Sequence, residues 1–119
     1  MEKKTYTGGC HCGKFRYEVD TDLARIIECD CSHCFMKGLI LNFVAAQDFR
    51  LTNGTENELT DYQFNRKTIH HLFCPVCGVE SFARGTNKEG KPMYSINVRC
   101  LDDIDLSALT ITPFSGKDI

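Results

Sequence analysis

Cys29-Asp30-Cys31-Ser32-His33-Cys34 reads C-x-C-x-x-C, three thiols within six residues. No hydrophobic core needs three cysteines so close together. A soft metal does, because thiolates suit zinc and metal–sulfur clusters better than hard cations. Three protein ligands are also the number at catalytic zinc sites, where the fourth tetrahedral position stays free. The stretch predicts a reactive zinc on Cys29, Cys31 and Cys34. The rest of the chain is then a small β domain around it, fastened by a second, closed zinc.

The chain has 119 residues, eight cysteines and a formal charge of −2. Residues 1–119 are read as one domain, long enough for a modest core. Near-neutral charge without a basic tail predicts no general affinity for nucleic acid or anionic membrane. No apolar run of membrane length or secretory leader pattern occurs, so a cytoplasmic protein is expected. An even cysteine count also fits a secreted disulfide scaffold. Against that, seven of the eight cysteines sit in tight C-x-C, C-x-C-x-x-C and C-x-x-C groups. Cytosolic thiols, moreover, stay reduced.

Strand patterns surround these groups. Tyr6 to Gly9 reads as a short strand ending in glycines, and Cys10-His11-Cys12-Gly13 follows. Lys14 to Val19 alternates with period two, which puts Phe15, Tyr17 and Val19 on one buried face. Leu23 to Glu28 reads as a strand delivering Cys29, and Phe35-Met36-Lys37-Gly38 as one helical turn closed by glycine. Leu39 to Val44 is a buried strand, Gln47 to Thr52 a turn and strand, and Asn53-Gly54 a turn. Leu59 to Phe64, Thr68 to Phe73, Val79 to Ala83, Tyr94 to Val98 and Leu109 to Phe114 read as further strands. Asn87 to Pro92 is an exposed loop and Asp102 to Leu109 a short helix. Many short strands between turns predict a mainly β architecture.

Cys10 and Cys12 can join Cys74 and Cys77 in a closed, structural site of four thiolates. Spacing alone does not say which pair meets which. The triad would then stand apart with an open position. Three thiolates leave zinc a formal charge of −1. Such an ion acidifies water less than one held by histidines, but still accepts a soft fourth thiolate. A thiol substrate would be held deprotonated, and the thiolate is the nucleophile. Its addition to an aldehyde is the expected chemistry.

Gly9-Cys10-His11-Cys12-Gly13 with Arg16-Tyr17-Glu18, then C-x-C-S-x-C, then Phe73-Cys74-x-x-Cys77-Gly78 with Phe82, then Asn97 and Leu101-Asp102 recur in one order along nearly the whole chain. In this the chain resembles the glutathione-dependent formaldehyde-activating enzyme family. Cys100-Leu101-Asp102 and the run from His71 to Phe82 are similar to its centromere protein V branch. That branch's basic extension is absent from these residues, so its chromatin and microtubule roles are not expected here. The resemblance implies the Mss-four-like fold of coiled antiparallel sheets. It implies a structural zinc at Cys10, Cys12, Cys74 and Cys77, and a catalytic zinc at Cys29, Cys31 and Cys34. The implied activity is that of a carbon–sulfur lyase, S-(hydroxymethyl)glutathione synthase, with glutathione and formaldehyde as partners. The alternative is a non-catalytic zinc module that binds a protein or a metabolite.

Other residues carry weaker expectations. Cys100 reads first as a small buried residue at a strand end. It can also be a fourth ligand that closes the triad site, or a redox nucleophile. His33 reads as a solvated residue between ligands, although a proton-shuttle role is conceivable. His70 and His71 point to opposite faces of one strand, so at most one joins a site. Arg16, Arg66, Arg84 and Arg99 are candidates for a substrate carboxylate, through bidentate pairing.

Overall fold

The computed structural model describes residues 2–64 and 69–114. β1 (Lys4–Gly9), β2 (Arg16–Thr21) and β5 (Phe49–Asn53) form an antiparallel sheet in the order β1-β2-β5. A larger sheet contains β3 (Ile26–Cys29), β4 (Ile40–Ala45), β6 (Thr60–Tyr62), β7 (His70–Phe73), β8 (Phe82–Thr86), β9 (Pro92–Asn97) and β10 (Ile111–Phe114). Its order is β10-β3-β4-β9-β8-β7-β6. One short helix, α1 (Ser32–Lys37), bridges β3 and β4.

The mainly β reading holds, with one departure from purely antiparallel sheets. β10 runs parallel to β3, with Ile111 opposite Ile26. A parallel neighbour needs a long crossover connection, and the whole chain between β3 and β10 provides it. Period-two alternation is the same in either direction, so the pattern could not reveal this.

The core lies between the two sheets. Phe15, Tyr17 and Val19 share one buried face, as the alternation required, and each is at most 1% exposed. They meet Phe82 of β8 and Ile96 of β9. Aromatic contacts cross the interface: Tyr17 lies edge-on to Phe82 at 6.0 Å between ring centroids, and Phe49 stacks on Tyr94 at 4.2 Å. Such pairs add about 0.5–1.5 kcal/mol beyond their burial.

β3 and β4 carry buried residues on both faces, which explains their apolar runs, although Glu28, Phe43 and Ala45 are exposed. Ile26, Ile40 and Val44 point into the main core. Ile27 and Leu41 point the other way, into a second cluster with Cys29, Cys34 and Leu39. Asn42, 3% exposed, is the polar exception on the core side. It accepts from the Thr21 hydroxyl at 2.7 Å and donates to the Arg25 carbonyl at 2.8 Å, tying β4 to the chain between β2 and β3.

Some boundaries differ from expectation. β6 is only three residues long. Residues 79–81 do not extend β8. The Val79 carbonyl accepts from Cys74 N–H at 3.1 Å, while Asn97 engages the next two, its N–H donating to Ser81 and its side-chain amide to Glu80, each at 3.0 Å. The helix expected over Asp102 to Leu109 is a single 3-10 turn at Leu106–Ala108, capped by the Asp105 carboxylate. Thr68, the first residue of an expected strand, lies outside the described residues. Among those residues, no helix is long and apolar enough to cross a membrane.

The turn after β5 is fixed by a glycine under the core. Gly54 has φ +81°, and a Cβ there would lie 2.6 Å from the buried Phe15 ring. Gly90, in the exposed loop before β9, has φ +78°, and a Cβ there would meet nothing within 4 Å. Left-handed backbone alone costs a non-glycine residue roughly 1–2 kcal/mol. Gly90→Ala is expected to lose about that much in chemical denaturation. Gly54→Ala should lose clearly more, because Phe15 must also move; equal losses would show that Phe15 is not held rigidly.

Candidate metal centre

Cys10 and Cys12 lie in the β1–β2 connection, at the end of the small sheet. Its tight turn is closed by Cys10 N–H donating to the Phe15 carbonyl at 3.1 Å, and Phe15 N–H points back at the Cys10 sulfur, 3.4 Å away. Cys74 and Cys77 lie in the β7–β8 connection of the larger sheet. Here Gly78 N–H donates to the Cys74 carbonyl at 2.8 Å, while the N–H groups of Val76 and Cys77 face the Cys74 sulfur at 3.4 and 3.5 Å. Both turns thus aim backbone N–H dipoles at sulfur.

The structure brings these two pairs together. All four sulfurs lie within 4.8 Å of one another. Cys10 and Cys12 are 3.7 Å apart, and Cys12 and Cys74 are 3.6 Å apart across 62 residues of sequence. A tetrahedron with Zn–S bonds near 2.3 Å has edges of about 3.8 Å. The separations fit a shared metal and are far too long for disulfides, whose S–S bond is about 2.05 Å. All eight cysteines are free thiols.

Cys29, Cys31 and Cys34 form a separate group whose sulfurs also lie within 4.8 Å of one another. β3 delivers Cys29, and α1 delivers Cys34. The helix starts at Ser32, before the expected turn, because the Cys31 sulfur accepts from Cys34 N–H at 3.4 Å and caps it. Gly38, left-handed at φ 67°, ends it where a glycine stop is expected. Burial, then the neighbouring thiols, pushes the Cys34 thiol well above its ordinary range. A cation bound among the three sulfurs would offset that cost.

The triad lines a cavity of about 260 Å³. Ile27, Leu39, Leu41, Phe43, Ile69 and Met93 make its walls mostly apolar. Few charged side chains among the described residues reach it. Arg84 does, but pairs with Glu56 at 3.0 Å. Glu80 and His71 reach it too, and their carboxylate and imidazole lie 3.3 Å apart. Burial works to raise the Glu80 carboxyl, but hydrogen bonds from His71 and Lys37 outweigh it and hold it below the ordinary range.

The remaining candidates divide. Cys100 is not in the triad's group and does not close it. It sits in a 3-10 turn with its thiol directed at the Glu80 carbonyl, and burial pushes it up to about 11. Cys100 is thus partly buried in a turn rather than buried at a strand end, and a thiol held protonated is a poor nucleophile. Arg16 pairs with Asp102 and Arg84 with Glu56, while Arg66 lies outside the described residues. His70 turns outward to Asp61 at 2.7 Å, whereas His71 is buried. His33 is the clear correction. Its side chain is only 10% exposed, and its ring lies 4.0 Å from that of His71 and 5.4 Å from that of Phe64. Helix α1, rather than an open turn, sets its direction. Sequence reasoning misses Glu80 altogether; three residues after Cys77, it carries no motif that would mark it.

Fold and site define a class: a mainly β protein with a four-thiol cluster joining two sheets and a three-thiol cluster facing a cavity. The model of the glutathione-dependent formaldehyde-activating enzyme matches residues 5–114, and the chain belongs to that family. A crystal structure of a Rhodobacter sphaeroides protein is similar, with 32% identity over 92% of this chain and 99% of that one, at a TM-score of 0.77.

The two clusters should differ in what they do for the fold. A closed zinc site is worth on the order of 10 kcal/mol or more at neutral pH, against about 5–15 kcal/mol of net stability for a domain. Cys74 is fully buried and joins the two sheets through Cys12. Cys74→Ser is therefore expected to unfold most of the chain. The triad spans only six residues, so Cys34→Ser should stay folded and lose one metal. Zinc content and thermal unfolding, measured side by side, check this. Equal unfolding by the two variants would make the triad structural.

Proposed function

We propose that this chain is a zinc-dependent carbon–sulfur lyase acting on a thiol–aldehyde adduct, similar in activity to S-(hydroxymethyl)glutathione synthase. Cys29, Cys31 and Cys34 are its catalytic zinc ligands, and Cys10, Cys12, Cys74 and Cys77 hold a structural zinc. The observation that carries this reading is the separation of the thiols into a four and a three, with the three alone lining a cavity. Bound to the triad, zinc would supply a soft acceptor that keeps a substrate thiol ionised near neutral pH.

The chain's own residues supply the setting. The C-x-C-x-x-C turn fixes three sulfurs on one side and leaves the cavity on the other. Ile27, Leu39 and Leu41 exclude water behind the triad, which strengthens charge interactions there. In the forward direction the substrate sulfur adds to the carbonyl carbon. A C–S bond forms, the carbonyl π pair moves to oxygen, and that oxygen takes a proton from solvent at the cavity mouth. The reverse step releases thiol and aldehyde. Glutathione is the thiol that the family's name suggests, and formaldehyde the electrophile. A reduced, cytoplasmic setting is consistent with eight free thiols.

Cobalt in place of zinc provides the test. Reduced, metal-supplied protein should retain two tightly held metals after dialysis. In the cobalt form, millimolar glutathione should change the sulfur–cobalt charge-transfer bands. Cys34→Ser should abolish that change, and formaldehyde consumption with it. Two metals with no spectral response to any thiol would assign the chain to the non-catalytic alternative.

A further inference from the structure

A third group of ligand atoms lies outside both thiol clusters. His33, His71 and Glu80 place one ligand atom each within 4.8 Å of the others. They come from three elements: α1, β7 and the segment after the second thiol turn. His33 Nε2 is 3.6 Å from Glu80 Oε1, and His71 Nδ1 is 3.3 Å from Glu80 Oε2. Two imidazoles and a carboxylate bound to one ion at 2.0–2.1 Å in tetrahedral geometry stand about 3.4 Å apart. The two histidine–carboxylate separations are close to that spacing, one to each carboxylate oxygen, and the three ligand atoms lie within 4.8 Å of one another.

The strongest observation is His33 itself. Its side chain is nine-tenths buried, yet neither ring nitrogen has a hydrogen-bond partner among the described residues. A buried imidazole left this way is costly, because its polar atoms have lost water and gained no partner. Stacking explains the position of the ring, which lies against Tyr62, Phe64 and His71. It does not explain why a histidine, rather than a phenylalanine, occupies it. Nε2 faces an oxygen of the Glu80 carboxylate, whose side chain is 2% exposed. An ion between them would give that nitrogen its missing partner.

We propose that His33, His71 and Glu80 form a third metal site, selective for a borderline divalent cation such as Zn²⁺ or Co²⁺. Two imidazoles with one carboxylate suit these ions and not Mg²⁺ or Ca²⁺, which prefer oxygen. This stands independently of the lyase reading, because no thiol takes part. The site lies in the wall between two clefts. His71 and Glu80 line the triad's cavity, while His33 lines a second cleft with Lys37 and Phe73.

Lys37 sets the affinity. Its ammonium is 3.0 Å from Glu80 Oε1 and 4.6 Å from the Phe73 ring centroid, and it is a third exposed. An incoming ion competes with it for the same oxygen, and the lysine can swing to solvent. The third ion is thus held more weakly than the two thiolate-bound ions, and exchanges.

The test uses the whole chain with both thiolate clusters loaded with zinc, and Co²⁺ as the added probe. One saturable further equivalent is expected, with visible d–d bands and no sulfur–cobalt charge transfer. Charge-transfer bands would instead report exchange into a thiol cluster, and their appearance in place of the d–d signal counts against the site. His33→Phe keeps the stack and removes both nitrogens, and Glu80→Gln keeps size and removes the charge. Each should lose the third equivalent while retaining the zinc of the thiolate clusters, which shows that the fold is intact. Lys37→Met should bind the third ion about tenfold more tightly, as removal of a competing charge predicts. Failure of the parent chain to take up a saturable third equivalent, or its undiminished uptake by His33→Phe and Glu80→Gln, overturns the proposal.

Discussion

The meeting of Cys12 with Cys74 is the constraint on which the rest depends. Their sulfurs are 3.6 Å apart, one from each sheet. Four thiolates without a cation would repel one another, and four thiols would hold the sheets only by weak hydrogen bonds. A bound metal would reverse the sign of that contact. It would tie the junction of the two small sheets through segments far apart in sequence. The core between the sheets then needs only modest area. Phe15, Tyr17, Phe49, Phe82 and Tyr94 fill it, and large rings do this with few side chains.

The second consequence concerns β3 and β4. Because the small sheet covers one face of these strands, their other face is free to build something else. Ile27, Leu41 and Leu39 use it to bury Cys29 and Cys34. The triad is therefore mounted on strands held from behind by the main core. Its one helical element is six residues long and is fixed at both ends, by the Cys31 sulfur and by Gly38. A helix so short has no stability of its own; the turn exists because its ends are tied.

Much of this is legible in the sequence. The cysteine groups announce two thiol clusters, since their spacing has no explanation in packing. Period-two alternation places Phe15, Tyr17 and Val19 correctly, and the apolar run from Leu39 to Val44 marks a largely buried strand. What escapes is information that local pattern does not hold. Alternation cannot state that β10 lies parallel beside β3. Helix-start rules favour Ser, Thr, Asp and Asn as caps, so a cysteine sulfur capping α1 shifts the start by three residues. That shift rotates His33 from solvent to the β7 side. Glu80 is invisible because its environment is built entirely by residues distant in sequence: Lys37, His71 and Asn97.

Glu80 also shows how the two thiol clusters are joined. It follows the Cys74–Cys77 turn, so the four-thiol cluster fixes where its backbone leaves. Its carbonyl accepts from Asn97, at the end of β9, and faces the Cys100 thiol. Its carboxylate reaches the triad's cavity, where Lys37 of α1 and His71 of β7 meet it. A buried carboxylate is costly unless paired and hydrogen-bonded, and here each oxygen has a partner. Breaking such a network by removing one member leaves an uncompensated charge. The position of α1, and with it Cys34, is thereby tied through Lys37 and Glu80 to the Cys74–Cys77 turn. The three-thiol cluster is local in sequence, yet its orientation against the cavity is set through Glu80 by the four-thiol one.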